Sequence, residues 1–215
     1  MHVKLISYTK SVDNDKSLHD LIAYCARVSN PNNQNNTDTN EKLIDYLITN
    51  KHWSPFEMVN ICIEIETTRD IIRQILRHRS FSFQEFSQRY AIANLGVEYK
   101  EARLQDKKNR QNSIEIEENE ELKKEWLSKQ QHISKIVQES YDWALLNGIA
   151  KEQARAVLPE GITLSKIYMN GTLRSWIHYI ELRSSNGTQK EHRDVAIACA
   201  NVIDTIFPIS RIIHY

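Results

Sequence analysis

The chain has 215 residues and a mass of 25.2 kDa, enough for one sizeable domain with a buried core. Its 28 lysines and arginines balance 28 aspartates and glutamates, so no global positive field favours non-specific nucleic-acid binding. No apolar run approaches the ~20 residues of a membrane span, and the start of the chain lacks the apolar core of a signal peptide. We therefore expect a cytoplasmic protein whose three widely separated cysteines are buried, reduced thiols.

The first half of the chain predicts two helices, a strand and a third helix. Apolar periodicity places helices at residues 18–29 and 41–51, separated by an asparagine-rich surface loop. Residues 58–66, MVNICIEIE, alternate apolar and mostly polar positions, which is the period of a strand with one buried face. Residues 69–79, RDIIRQILRHR, return to a helical period, with isoleucines on one side and Arg69, Arg73 and Arg77 along another.

The second half predicts mainly helices. Residues 97–104 are predicted as a strand, and the charged segment at residues 105–125 as a solvated surface excursion. A long helix is predicted at residues 121–147, ended by Gly148, and a short helical stretch at 151–158, ended by Pro159. Two further helices are predicted, one capped by Thr172 and one opened by a capping box at residues 188–191. Without a repeat or linker, these elements predict a single α+β domain over residues 1–215.

The stretch RHRSFSFQEFSQRY, residues 77–90, combines three arginines with three phenylalanines. A planar guanidinium donates paired hydrogen bonds to phosphates and stacks on rings, so this composition favours a planar, anionic ligand. Arg155, Arg174 and Arg183 add cations to predicted helices that are otherwise apolar, where unpaired charges are costly. We therefore predict that these arginines converge on one nucleotide.

Several familiar catalytic motifs are missing from the sequence. The five glycines form neither a GxGxxG nor a P-loop pattern, so side chains must hold any nucleotide. No HExxH or Cys/His spacing is present, and we predict no metal site. Ser87 has no evident neighbouring base, so it is a better phosphate ligand than a nucleophile.

The stretch at residues 77–90 resembles the RHR-x-x-S-x-x-E-x-S-x-R signature of flavin-dependent thymidylate synthases, the ThyX family. HWSPFE at 52–57, QARAVLP at 153–159 and RSWIHYIELR at 174–183 resemble further segments of that family, in the expected order. The resemblance implies a central, mostly antiparallel sheet flanked by helices and a homotetramer with shared active sites. It also implies reductive methylation of dUMP to dTMP. Methylenetetrahydrofolate would provide the carbon and FAD, reduced by NADPH, the hydride, without a cysteine nucleophile.

The same resemblance implies roles for individual residues. The positions that match FAD ligands are Ser54, Arg77, His78, Arg79, Glu85, Thr172, Arg174 and His178. His52 and Glu57 are expected to shape the same pocket, and His78 is expected to be neutral because a cation there would change the flavin's reduction potential. Thr172 and His178 stand where relatives often have asparagine, so the hydrogen bonds to FAD at these two positions stay open.

A second set of positions matches dUMP ligands, and these are Gln74, Arg77, Glu85, Ser87, Arg89, Arg155 and Arg183. Ser87, Arg89 and Arg155 are expected to hold the phosphate, which suits forked cationic donors. Arg183 is expected to face the uracil edge and to stabilise negative charge on the ring, which makes it the predicted catalytic residue. The remaining histidines, expected to be ordinary structural or surface residues, are His2, His19, His132, His192 and His214.

Two other classes of function stay open at this point. A nucleic-acid-binding module could use the arginines of residues 77–90 for phosphates and Phe81, Phe83 and Phe86 for base stacking. A degenerate homologue could bind nucleotide without turnover, or serve only in assembly. Bound flavin, visible as a yellow colour, separates the synthase from the nucleic-acid module, and NADPH oxidation that depends on dUMP separates it from the degenerate homologue.

Overall fold

The computed structural model describes residues 1–12 and 16–213, which leaves the predicted surface residue His214 outside the described residues. In chain order the strands are β1 (His2–Tyr8), β2 (Asn60–Thr68), β3 (Ser82–Glu85), β4 (Arg103–Gln105), β5 (Ser113–Glu115) and β6 (Leu164–Thr172). The α-helices are α1 (Leu18–Ala26), α2 (Asn40–Thr49), α3 (Arg69–Ile75), α4 (Glu120–Leu146), α5 (Lys151–Ala154), α6 (Leu173–Arg183) and α7 (Lys190–Asp204). Short 3-10 turns lie at Ser54–Met58 and Arg155–Val157.

The central sheet is antiparallel throughout, with the strand order β1-β2-β6-β3. Ile61, Ile63 and Ile65 of β2 lie on one face together with Ile167 and Met169 of β6, and all five side chains are fully buried. Buried and more exposed residues therefore alternate along β2, which confirms the predicted strand with one buried face.

The opposite face of the sheet is polar. Lys166 of β6 lies 3.4 Å from Glu64 and 3.6 Å from Glu66 of β2, measured from its Nζ to the carboxylate oxygens. These ion pairs keep part of their contact with water, so their charges lose little solvation. This face of the antiparallel sheet therefore needs no covering helix.

Helices α6 and α7 cover the buried face of the sheet. Thr172 caps α6 as predicted, because its hydroxyl accepts a hydrogen bond from the backbone N–H of Ser175 at 3.2 Å. Trp176 is fully buried, and its indole N–H donates to the carbonyl of Ile61 at 3.0 Å, which ties α6 to β2. The predicted α+β fold, with a central antiparallel sheet flanked by helices, is confirmed.

The predicted capping box of α7 is wrong. The helix begins at Lys190 after Gln189, with no side-chain cap. The hydroxyl of Thr188 donates instead to the carbonyl of Leu182 at 3.4 Å, and the carboxylate of Glu191 pairs with Arg103. Tertiary partners therefore replace the local hydrogen bonds that the spacing predicts.

Other boundaries also differ from prediction, since α1 ends at Ala26 rather than at residue 29. Helix α3 ends at Ile75 rather than at residue 79, so Arg77 and Arg79 lie on the turn that leads into β3. The predicted strand at 97–104 reduces to an isolated bridge at Val97 and the first residues of β4. The patterns also leave β1, β3 and β6 unpredicted.

The charged segment at residues 105–125 is more ordered than a solvated excursion. Strands β4 and β5 form a hairpin, Ile116 is buried, and Lys190 of α7 lies 2.9 Å from Glu115. The long helix α4 follows as predicted, and Gly148, at φ +77°, takes the left-handed conformation that ends it.

Candidate active site

Arg183 and His78 meet at the centre of the candidate site. The Nε–H of Arg183, in the last turn of α6, donates to Nε2 of His78 at 2.9 Å. Because a guanidinium only donates, Nε2 of His78 carries no proton, and the neutral imidazole has its hydrogen on Nδ1. Burial, and then the positive charge of Arg183, lower the pKa of His78 to about 4. His78 is therefore neutral near pH 7, as the sequence predicts.

Gln74 lies on the same side as His78, one turn earlier in the chain. Its side chain contacts His192 of α7 at 3.3 Å and Gln189 at 2.8 Å. The other ring nitrogen of His192 lies 3.2 Å from the hydroxyl of Tyr179, whose ring packs edge-on against His78 at 4.9 Å. His192, expected to be an ordinary structural or surface residue, is fully buried inside this cluster.

The 3-10 turn Ser54–Met58 packs against the beginning of α6. Arg174 forms an ion pair with Glu57, and the ring of His178 packs edge-on against Trp53 at 5.0 Å. The structure thus brings the predicted flavin residues Arg174 and His178 beside the segment that holds exposed Ser54. Helical spacing of four residues puts both side chains on one face, which is why one turn of chain contacts both.

Arg77 and Arg79 flank His78 on the turn after α3. Both are exposed, and neither guanidinium has a hydrogen-bond or ion-pair partner within residues 1–12 and 16–213. Ser80, the next residue, accepts a hydrogen bond at its carbonyl from the hydroxyl of Ser175 in α6 at 3.3 Å. The two unpaired guanidinium groups therefore lie beside α6, where they can bind an anion.

Ser87, Arg89 and Arg155 form a second group around Glu152. The Nε–H of Arg89 lies 3.3 Å from the carboxylate of Glu152, and the Nε–H of Arg155 donates to the Glu152 carbonyl at 3.3 Å. The hydroxyl of Ser87 accepts from the backbone N–H of Arg89 at 3.4 Å, and no acidic or histidine side chain bonds it in the described chain. These contacts fit a phosphate ligand better than a nucleophile.

The predicted site residues thus fall into two groups within one chain. We call Gln74, Arg77, His78 and Arg183 the His78 group, and Ser87, Arg89 and Arg155 the Glu152 group. Glu85 at the end of β3 belongs to neither, since it pairs with Arg69 at 3.4 Å. Among the described residues no hydrogen bond or ion pair joins the two groups.

The cysteines lie outside both groups. All three are free, but only Cys199 is buried, whereas Cys25 and Cys62 are half-buried, so the prediction of three buried thiols is wrong for two of them. Burial raises the pKa of Cys62, and it raises the pKa of Cys199 further. A nucleophilic thiolate is therefore disfavoured at these two positions.

Metal-binding clusters and membrane-spanning helices are both absent from the described residues. Within 1–12 and 16–213, no three His, Cys, Asp or Glu side chains come together in a group that could hold a metal ion. Over the same part of the chain, no helix combines the length and the apolar character that crossing a membrane requires.

Solved structures share this fold. The UMP/dUMP methylase PolB from Streptomyces cacaoi, crystallised with 5-Br dUMP, superposes with a TM-score of 0.82 over 97% of this chain and 92% of its own. At 24% sequence identity this likeness defines the fold class.

Sequence comparison defines the family. The family described as thymidylate synthase complementing protein matches residues 4–209. A probable flavin-dependent thymidylate synthase from Paramecium bursaria Chlorella virus 1 is 50% identical over 97% of this chain and 96% of its own length. The flavin-dependent thymidylate synthase of Synechocystis sp. PCC 6803 is 48% identical over the same shares of both chains. The chain belongs to the flavin-dependent thymidylate synthases.

Proposed function

We propose that this protein methylates dUMP to dTMP, with methylenetetrahydrofolate as carbon donor and FAD, reduced by NADPH, as the source of hydride. One observation carries the proposal. In the family's signature segment, neutral His78 accepts the Nε–H of Arg183, and the two terminal nitrogens of that guanidinium have no other partner in the described chain.

Arg183 is the proposed catalytic residue. Its free terminal nitrogens provide four N–H donors for the uracil edge of dUMP. A fixed positive charge there stabilises negative charge on the ring, so ring carbon C5 becomes nucleophilic toward the folate methylene. His78 holds the guanidinium by its Nε, which keeps the charge in one orientation.

The residues around His78 fit FAD. The unpaired guanidinium groups of Arg77 and Arg79 suit the diphosphate of FAD. The uncharged imidazole of His78 adds no cation beside the flavin. Ser54, Thr172, Arg174 and His178 complete the proposed cofactor set, together with Glu85. FAD, when bound, supplies the hydride for the final reduction of the methylene group.

The Glu152 group is the proposed phosphate site for dUMP. The pair between Arg89 and Glu152 is about half exposed on both sides, with side-chain exposures of 57% and 48%. Exposed pairs of this kind contribute little to stability, so a dianionic phosphate can replace the carboxylate at small cost. Gln74, Arg77, Glu85 and Ser87 complete the proposed dUMP set.

We also propose that residues 1–215 form one domain and that four copies assemble with shared active sites. No hydrogen bond or ion pair joins the His78 group to the Glu152 group within the described chain, which is the observation that supports sharing, because a second copy can bring the other group to each site. Helix α4 also exposes an apolar stripe at helical spacing, formed by Trp126, Ile133, Ile136 and Trp143. NADPH as the reductant and a cytoplasmic location stay predictions from the sequence.

A nucleic-acid-binding module is less well supported. Base stacking requires exposed rings, but Phe81 is buried and packs edge-on against Trp176 at 4.9 Å. Phe83 and Phe86 are half-buried as well.

The first experiment tests the reaction itself. Purified protein is expected to be yellow, to oxidise NADPH in a reaction that depends on dUMP, and to form dTMP only when dUMP and methylenetetrahydrofolate are both present. Colourless protein that carries nucleic-acid absorbance would contradict the proposal, and yellow protein without dUMP-dependent turnover would identify a degenerate homologue.

Arg183→Ala tests the catalytic role. Removing a donor of this kind costs ~3 kcal/mol of transition-state stabilisation, so the rate of dTMP formation is expected to fall by roughly a hundredfold. FAD absorbance should be retained, because the proposed cofactor residues are unchanged. Arg193→Ala, on α7 outside both groups, is the matched control and should keep near-normal turnover. Near-normal turnover in Arg183→Ala would refute the assignment.

A further inference from the structure

A continuous chain of hydrogen bonds runs from an ion pair at the β4–β5 hairpin to the core beside His78. Arg103 of β4 pairs with Glu191, whose other carboxylate oxygen accepts the Nε2–H of Gln189 at 2.9 Å. Gln189 then contacts Gln74 at 2.8 Å, Gln74 contacts His192 at 3.3 Å, and His192 contacts Tyr179 at 3.2 Å. We call this sequence of contacts, from Arg103 to Tyr179, the Glu191 relay.

Each group in the Glu191 relay has only one possible role. The carboxylate of Glu191 accepts only, so Gln189 must point its amide nitrogen toward it and its oxygen toward Gln74. Gln74 must then donate through Nε2, which leaves its oxygen facing Nδ1 of His192. His192 must therefore carry its proton on Nδ1 and accept the Tyr179 hydroxyl at Nε2.

The charges along the relay agree with this order. Burial raises the pKa of the Glu191 carboxyl, but hydrogen bonds from Arg103 and Gln189 outweigh burial and hold the pKa below its usual value. Burial, and then the nearby Arg183 and His78, lower the pKa of His192 to about 3. Burial also raises the pKa of Tyr179 well above its usual value, so the hydroxyl keeps its proton. Near pH 7 the relay therefore has one protonation state.

Gln74 is half-buried, and it is the member of the relay that the family resemblance matches to a dUMP ligand. Gln189 and His192 occupy one N–H and one oxygen lone pair of its amide, which leaves one N–H and one lone pair for a ligand. An amide held at both atoms cannot flip, so the remaining donor and acceptor always present themselves in the same order.

We propose that Glu191, Gln189 and His192 are positioning residues, which fix the orientation of the Gln74 amide for dUMP. The inference rests on the proposed function, since it requires that Gln74 contacts dUMP. It adds residues of α7 and of the segment before it to the determinants of substrate binding. None of the three needs to touch the nucleotide to affect its affinity.

Two substitutions of the same histidine test the relay. In His192→Asn the side-chain amide reaches as far as Nδ1 and can still donate to Gln74. In His192→Gln the amide reaches as far as Nε2, so it can accept from Tyr179 but no longer donates to Gln74. Both variants lose the aromatic contact of the imidazole, and Gln, with one more methylene than Asn, fills more of the buried space, so lost volume alone would affect His192→Asn more.

The readout is the KM for dUMP against kcat. For His192→Asn we expect a KM within about twofold of wild type, and for His192→Gln a KM raised about fivefold to tenfold, the worth of one hydrogen bond. In both, kcat should change little, because the lost contact binds substrate and transition state alike. Equal KM values in the two variants, or the reverse order, would overturn the proposal.

A third variant covers the case in which His192→Gln does not fold. Glu191 lies half-buried at the start of α7. Glu191→Gln replaces its carboxylate, which accepts at both oxygens, by an amide that can flip. The KM for dUMP is expected to rise about threefold, and an unchanged KM would overturn the relay.

The wild type separates the two hypotheses. Wild-type protein that forms dTMP, with variants that leave KM unchanged, would overturn the relay and leave the proposed function standing. Wild-type protein that forms no dTMP from dUMP would overturn the proposed function and this role of the three residues together.

Discussion

Two histidines, one fully buried and one half-buried, lie in the core beside Arg183, and both are neutral near pH 7. His192 is fully buried with a pKa of about 3, and His78 is half-buried with a pKa of about 4. An unfolded histidine titrates near 6.5, so the unfolded chain binds protons that the folded chain excludes as the pH falls below that value. The two histidines therefore make their full contribution to the free energy of unfolding above about pH 6.5. This contribution declines as the pH falls toward 4.

This gives a prediction for thermal stability. The melting temperature of the wild type should decrease steadily between pH 7 and pH 4.5, measured by circular dichroism. His192→Asn removes one of the two buried titrating groups, so its melting temperature should depend less steeply on pH. His132→Asn, at an exposed position of α4, is the control and should follow the wild-type slope. An unchanged slope in His192→Asn would contradict the assignment of a depressed pKa to His192.

The signature residues were predictable one by one, but their partners were not. Arg183, His78 and Gln74 match a motif whose positions imply a nucleotide site, and the structure places them beside one another. Tyr179 lies in one of the matched segments without an implied role, and His192 lies outside them, where a histidine in an amphipathic helix predicts nothing about what it faces. Their role follows only from the packing of α7 against α3 and α6.

At the scale of elements, β6 is an inner strand of the central sheet that the sequence patterns did not predict. It pairs with both β2 and β3, and α6 follows it directly. Its buried positions, Ser165, Ile167, Met169 and Gly171, include a serine and a glycine, which weaken the alternation that identifies a strand. The polar positions between them did offer a signal with period two.

Gly171 explains why this strand carries a glycine. A Cβ added there would lie 2.4 Å from ring carbon Cδ1 of Phe81, and Phe81 is itself held against Trp176. Gly171→Ala should therefore reduce the free energy of unfolding by about 2 kcal/mol through overpacking. Gly161→Ala is the matched control, because no atom lies within 4 Å of the added Cβ. Chemical denaturation of the two variants checks the difference, and equal stabilities would contradict the close contact.

The hairpin of β4 and β5, predicted partly as a strand and partly as a solvated excursion, packs against the start of α7. Arg103 on β4 pairs with Glu191, and Lys190 pairs with Glu101 at 2.7 Å and with Glu115 of β5 at 2.9 Å. These ion pairs fasten the hairpin to the start of α7. A run of mixed charges predicts solvent exposure, whereas the partners that partly bury it lie far away in the sequence.

At the scale of the whole molecule, the proposed dUMP site needs the His78 group and the Glu152 group to come together. The His78 group lies at α3 and the end of α6, and the Glu152 group lies at α5 and the segment after β3. A nucleotide that needs both groups can have them from two copies of the chain, as the proposed shared sites require.

Mixing inactive variants tests this arrangement. Arg183→Ala and Arg155→Ala should each be nearly inactive alone, because each damages a different group. Unfolded and refolded together in equal amounts, they should regain about a quarter of the wild-type rate, since one site in four then combines two intact groups. Each variant refolded alone is the control. A mixture no more active than its components would show that each site is built from one chain.

The sequence by itself determined the family, the alternation of β2, the long helix α4, the cap of α6 and the identity of the signature residues. All of these depend on residues close together in the chain, where period, capping and motif spacing act locally. The tertiary structure decided where α3 ends, how α7 begins, and what surrounds Gln74 and His78. Those outcomes depend on contacts between distant segments, such as Arg183 with His78 or Glu191 with Arg103, and local patterns carry no information about such partners.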